Sequence, residues 1–170
     1  MTVIIANIID FVAALIQTAS GTIRQKQKIL AVQILQLLLQ ATSMAMLGGM
    51  TGAVSNILSC WRNYLCYKDK LTAFKKFLLI AASILMTVLL NDQGIWGILP
   101  AAVCTVYILL MDVKDPVKFK LLVTVSFVPW MFYHFAIRSY VGAFFDFATI
   151  VTNSATLAAM IKSRRKEAAS

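Results

Sequence analysis

Two carboxylates, Asp10 and Asp146, one guanidinium, Arg62, and the only histidine, His134, stand inside long apolar stretches of this chain. With them stand the amides Asn56, Asn63 and Asn153, and Gln33, Gln36 and Gln40, whose spacings of three and four put them on one helical face. Such groups can hydrogen-bond a polar solute, and a carboxylate among them can take up and release a proton. His134 has no second His or Cys at ligand spacing, so no metal is expected. The chain has no GxSxG, no HExxH and no aspartates paired for catalysis on facing helices, so neither an enzyme nor a cofactor is expected. Cys60, Cys66 and Cys104 lack zinc-like spacing and read as small buried apolar residues.

The elements that must hold these residues follow from composition. Of 170 residues, 60% are hydrophobic and 14% charged, with a mean hydropathy of +0.80, whereas soluble domains are roughly half apolar and a quarter charged. A water-soluble fold of this size could not hide that much apolar surface. Apolar runs of about 18 residues recur, each able to cross a hydrocarbon layer about 30 Å thick. They predict an all-α integral membrane protein with seven transmembrane helices, near residues 3–19, 29–47, 50–67, 74–91, 94–111, 119–137 and 140–161. An isolated backbone in lipid must satisfy its own polar groups, and the runs lack the alternation of barrel strands. The first run ends on Ala19, Ser20 and Gly21 as a signal peptide would, but no Lys or Arg precedes it and Asp10 lies at its centre, so it reads as the first span.

The formal charge of +9 would favour nucleic acid in a soluble chain, but here it sits in turns between spans, so no nucleic-acid partner is expected. Arg24, Lys26 and Lys28, then Lys68, Lys70, Lys75 and Lys76, then Lys114, Lys118 and Lys120, then Lys162, Arg164, Arg165 and Lys166 all fall on one side of a seven-span chain. The other side holds the N-terminus, the 47–49 turn, the 91–93 turn with Asp92, and Arg138. Positive-inside bias puts the N-terminus outside and the C-terminus in the cytoplasm.

A shift of 90 residues lays spans 1–3 on spans 5–7 without a gap. Arg24 falls on Lys114, Lys28 on Lys118, Gly52-Ala53 on Gly142-Ala143, Asn56 on Asp146 and Asn63 on Asn153. Three helices per unit would invert the second copy, so span 4 restores a common orientation and the halves are parallel repeats. The expected organisation is a first three-helix bundle at 1–68, a linker helix at 69–92, a second bundle at 93–163 and a basic cytoplasmic tail at 164–170.

GAVSNILSCWRNYL in span 3, KDPVKFKLL before span 6, Pro129-Trp130 followed by Tyr133, and SYVGAFFDF opening span 7 resemble the YgjV family of bacterial inner-membrane proteins. The resemblance covers nearly the whole chain, and the layout of three, one and three helices is similar to SWEET sugar transporters and PnuC-type vitamin carriers. It implies a bacterial inner-membrane location and a substrate route between two bundles, and names no substrate. In SWEET-like carriers asparagines on the third helix of each bundle hydrogen-bond the substrate, a pattern that Asn56 matches. Asp146 departs from it, which allows a cationic solute or a coupling proton. Asn63 and Asn153 form a second matched pair, open to either that role or helix packing.

Counting at about 1.5 Å per residue brings Asp10, Asn56 and Asp146 into one layer with Gln40, Trp130 and His134. Intramembrane carboxylates face a bundle interior or a wet cavity, so these are the expected solute-binding residues, with Asp146 alternatively bracing the outer end of span 7. Trp130 beside Pro129 is placed to stack on a ring or to fill the bundle core. Pro129 and Pro100 are expected to break the middles of spans 6 and 5 and act as hinges. Arg62 either snorkels to the cytoplasmic headgroups or forms an ion pair or gate with a carboxylate, Asp10 being nearest in depth. The reading is a membrane carrier of a small polar solute, sugar-, nucleoside- or vitamin-like, with protons as a possible second cargo; the alternative is a non-transporting inner-membrane scaffold. The sequence leaves oligomeric state open.

Overall fold

The computed structural model describes residues 2–46, 49–91, 94–136 and 140–167. Positions 47 and 48, Asp92 and Arg138 on the neutral side lie outside the described residues, as do 168–170 of the tail. Among the described residues the α-helices are α1 (Thr2–Ser20), α2 (Lys26–Met46), α3 (Met50–Tyr67), α4 (Ala73–Leu90), α5 (Ile98–Leu110), α6 (Pro116–Ala136) and α7 (Tyr140–Glu167), with a 3₁₀ turn at Gly94–Gly97 leading into α5. Four stretches are by themselves long and apolar enough to cross a membrane: Val3–Ser20, Lys26–Met46, Ala73–Leu90 and Val141–Lys166. Gly94–Leu110 is apolar but shorter. α3 is 18 residues long, but Asn56, Arg62 and Asn63 lower its hydropathy. Its two faces explain how it tolerates them. Ile57, Trp61 and Tyr64, spaced four and three apart, point outward, while Asn56, Ser59, Arg62 and Asn63 are buried.

Helix boundaries recur at the 90-residue offset. α2 and α6 share both ends under it, at 26 and 116 and at 46 and 136; α3 and α7 share their start, at 50 and 140; α1 and α5 share their end, at 20 and 110. Even the bonds that start α2 and α6 are equivalent, Ile29 N–H to the Gln25 carbonyl and Phe119 N–H to the Asp115 carbonyl. Packing follows the same rule. α2 lies between α1 and α3, α6 lies between α5 and α7, and two seams close the ring where α1 meets α7 and α3 meets α5. The shift exchanges those two seams. α4 stands outside the ring against α3 and α5, burying little beyond Leu79, Ser83 and Thr87.

At the end carrying the basic loops, an apolar cluster of Ile29, Leu30, Tyr107, Met111, Phe119, Val123 and Cys66 fills the interior. Here two expectations change. Lys120 is no turn lysine: it is fully buried, and its Nζ donates to the carbonyls of Ile23 at 2.9 Å and Ser20 at 3.4 Å. Lys26 does the same in the other direction, donating to Met111 at 2.6 Å and Val113 at 3.0 Å. Ile23 and Val113 are equivalent positions, so each half offers a helix-end carbonyl to a lysine of the other half. The tail also differs, because α7 continues to Glu167 and Arg164 bonds Asp115 at 2.9 Å. That bond, with the N–H of Val117 on the same carboxylate, holds Asp115 below the ordinary carboxylate pKa.

The two prolines stand in different settings. Pro100 is the third residue of α5, in a first turn whose N–H groups have no helical partner anyway. α6 runs without interruption through Pro129.

Candidate functional site

A cavity lies between the six ring helices, lined by residues of all of them. Six pairs of its lining residues are equivalent under the 90-residue shift: Gln17 and Tyr107, Gln36 and Ser126, Leu37 and Phe127, Gln40 and Trp130, Met44 and His134, Asn56 and Asp146. The cavity therefore sits where the two halves face one another. Its volume is about 60 Å³, room for about four waters at roughly 15 Å³ each. The apolar cluster at the basic end borders it through Tyr107, which belongs to both.

The end of the cavity away from the basic loops is a hydrogen-bonded chain. Asp146, 2% exposed, accepts from Gln17 Nε2 at 2.7 Å on one oxygen, and its other oxygen lies in hydrogen-bond contact with His134 Nδ1 at 2.7 Å. Gln36 Nε2 donates to Gln17 Oε1 at 3.0 Å and to Gln40 Oε1 at 2.6 Å. Four helices are thereby tied through one carboxylate. The histidine–carboxylate contact can hold a proton shared between two side chains of the cavity wall. The first half has the same pair of positions with softer chemistry, Asn56 Nδ2 against Met44 Sδ at 3.4 Å.

The other end holds Arg62, 6% exposed. Its Nε and Nη2 donate to Asn63 Oδ1 at 3.1 and 3.0 Å, its Nη1 lies 3.7 Å from Cys104 Sγ, and its plane rests 4.3 Å from the Tyr107 ring. Asn63 is itself held by Gln33 at 3.1 Å.

Of the residues the sequence singles out, the structure brings Asn56, Asp146, Trp130, Gln40, His134 and Arg62 to one cavity. Trp130 lies edge-on to Tyr133 at 5.7 Å and beside His134 at 6.0 Å. Asn153 and Asp10 do not line it. Asn153 is buried elsewhere, 1% exposed, and Asp10, half-buried on α1, is within electrostatic range of His134 and Asp146. Arg62 is buried rather than snorkelling, and among the described residues it forms no ion pair with a carboxylate. Reasoning from sequence missed Gln17, the amide that holds Asp146. Its signal was its place seven residues after Asp10, two helical turns along the same face.

A protein-family model, Imp-YgjV, described as a bacterial inner membrane protein, matches residues 4–164. No curated protein and no solved structure matches the chain.

Proposed function

The chain belongs to the Imp-YgjV family of bacterial inner membrane proteins, and from that premise we propose that it carries a small polar solute across the membrane by alternating access. In this reading α1–α3 and α5–α7 are two parallel three-helix bundles, SWEET-like in layout, joined by α4, and the chain does no chemistry on its cargo. The basic loops face the cytoplasm and the N-terminus lies outside. The bundles rock against each other about the α1–α7 and α3–α5 seams. One observation carries the proposal: the cavity is built from equivalent positions of both halves and buries a carboxylate, a histidine and a guanidinium. Buried ionisable groups are expensive in a membrane and mark solute or proton paths. In this reading the apolar cluster at the basic end is a plug, and the structure is a state closed to the cytoplasm.

A scaffold reading draws on the fact that Asp146 has both oxygens bonded, as in a structural brace. The two separate by experiment. Proteoliposomes are offered labelled sugars, nucleosides, vitamins and small organic acids, with and without a pH gradient, and parent is compared with Asp146→Asn. A carrier gives saturable uptake of one class, and the variant, folded in the membrane, loses any dependence on the gradient. No uptake of any class, with both proteins intact, leaves the scaffold.

A further inference from the structure

Charge is unevenly compensated in this cavity. Both oxygens of Asp146 are engaged, by His134 and Gln17, whereas the cation at the other end rests on the Tyr107 ring and meets no carboxylate among the described residues. A guanidinium has five N–H donors and no acceptor. Arg62 spends two on a single amide oxygen and turns a third toward a thiol at 3.7 Å. Among the described residues no carboxylate lies within ion-pair distance of it. A buried cation without an anion is costly, and proteins ordinarily pair it. A second group on the same wall is also unmet. The Tyr107 hydroxyl, 4% exposed, lies near Gln33 but makes no hydrogen bond of good geometry. Arg62, Tyr107 and Ser59 all line the cavity, and Asn63, itself held by Gln33, fixes the guanidinium.

We propose that Arg62 and Tyr107 form an anion subsite, and that the cargo is, or carries, a small oxyanion such as a carboxylate. Its oxygens accept from the unmet guanidinium N–H groups and from the tyrosine hydroxyl, a charge-assisted, forked geometry that arginine suits better than lysine. Room for about four waters, as estimated above, matches a carboxylate-sized group and excludes a sugar ring in this closed state. The inference rests on reading this cavity as the solute site, and it replaces the cationic solute that Asp146 alone would suggest.

The test reads binding without transport. Trp61 and Trp96 are exposed and away from the cavity, so Trp61→Phe and Trp96→Phe leave Trp130 as the one reporter. In nanodiscs its fluorescence is titrated with acetate, nitrate and phosphate, and with acetamide as acetate's neutral isostere, at constant ionic strength held by gluconate, which is too large for the cavity. The expected result is a saturable change with at least one small anion and none with acetamide. Arg62→Gln weakens that binding at least tenfold, Arg62→Lys weakens it less, and Tyr107→Phe weakens it while the fold persists by circular dichroism. Equal response to acetate and acetamide, or unchanged affinity in a folded Arg62→Gln, overturns the subsite. Anion binding without uptake would keep the subsite and end the carrier reading; uptake of a neutral solute indifferent to anions would do the reverse.

Discussion

Asn63 and Asn153 occupy equivalent places, both fully buried, yet their surroundings differ, Gln33 and Arg62 being replaced by Val123 and Thr152. Asn63 donates to Gln33 and accepts from Arg62; the position equivalent to Gln33 is Val123, and Asn153 has neither its oxygen nor its nitrogen bonded. An unmet buried amide costs about 1–3 kcal/mol, and an apolar group of the same shape is neutral or better. Asn153→Leu should therefore raise stability by about 1 kcal/mol, whereas Asn63→Leu should lower it by about 2 kcal/mol because it orphans Gln33 and Arg62. Reversible unfolding in mixed micelles measures both, and a destabilised Asn153→Leu would mean that an unseen partner serves that amide. Sequence reasoning paired the two asparagines by offset and left them, as a pair, open to solute binding or helix packing. The offset shows which positions correspond, while the partner across the interface, Gln33 or Val123, decides what each side chain does. Arg62 shows the same limit: its depth was legible, but the choice between snorkelling and burial depends on which way α3 turns its faces.

Helix extents were legible almost throughout, because apolar runs and basic turns delimit them sharply; the span read at 50–67 is α3 itself. Pro100 was misplaced because an apolar run from 94 does not reveal that its first turn is 3₁₀ and that the α-helix begins only at Ile98. Lys120 was misread as a turn residue because a lysine near a helix start looks alike whether it faces water or a neighbouring helix end. Its burial makes a prediction. Lys120→Met keeps the stem and removes the ammonium, leaving the Ile23 carbonyl without its lysine donor and the Ser20 carbonyl with only the Ile23 N–H at the C-terminal end of α1. A cation at a helix C-terminus contributes up to about 2 kcal/mol in such partly buried geometry, so stability should fall by about 1–2 kcal/mol. Hydrogen exchange should quicken in residues 18–24 before it does in α3 or α4. Unchanged or slower exchange there would show that the cost of burying the charge outweighs the cap.

The whole ring stands or falls on whether its two seams are moving parts. Both seams use equivalent positions on the third helix of each half: Ser59 of α3 contacts Cys104 of α5 at 3.8 Å, and Thr149 of α7 contacts Thr18 of α1 at 3.0 Å. All three native cysteines are free, so with Cys60→Ser and Cys66→Ala the remaining Cys104 can be joined to Ser59→Cys on oxidation. Thr18→Cys with Thr149→Cys, in a background where Cys104 is also removed, closes the other seam. If bundles rock, either crosslink should reduce uptake of whatever solute the parent carries by at least about tenfold, and a reductant should restore it, since a static lock abolishes the exchange of open and closed states. Full uptake with a verified crosslink at both seams would mean that the halves do not move against each other, and the repeat would then be an inheritance of the fold rather than its mechanism. The crosslinks also bear on the cavity itself, because the oxyanion subsite lies along the α3–α5 seam and the Asp146 chain along the α1–α7 seam. Locking the second, whose Thr18 and Thr149 do not line the cavity, should leave anion binding measurable by Trp130 while stopping passage, so that binding and movement, joined in the native cycle, become separable in one molecule.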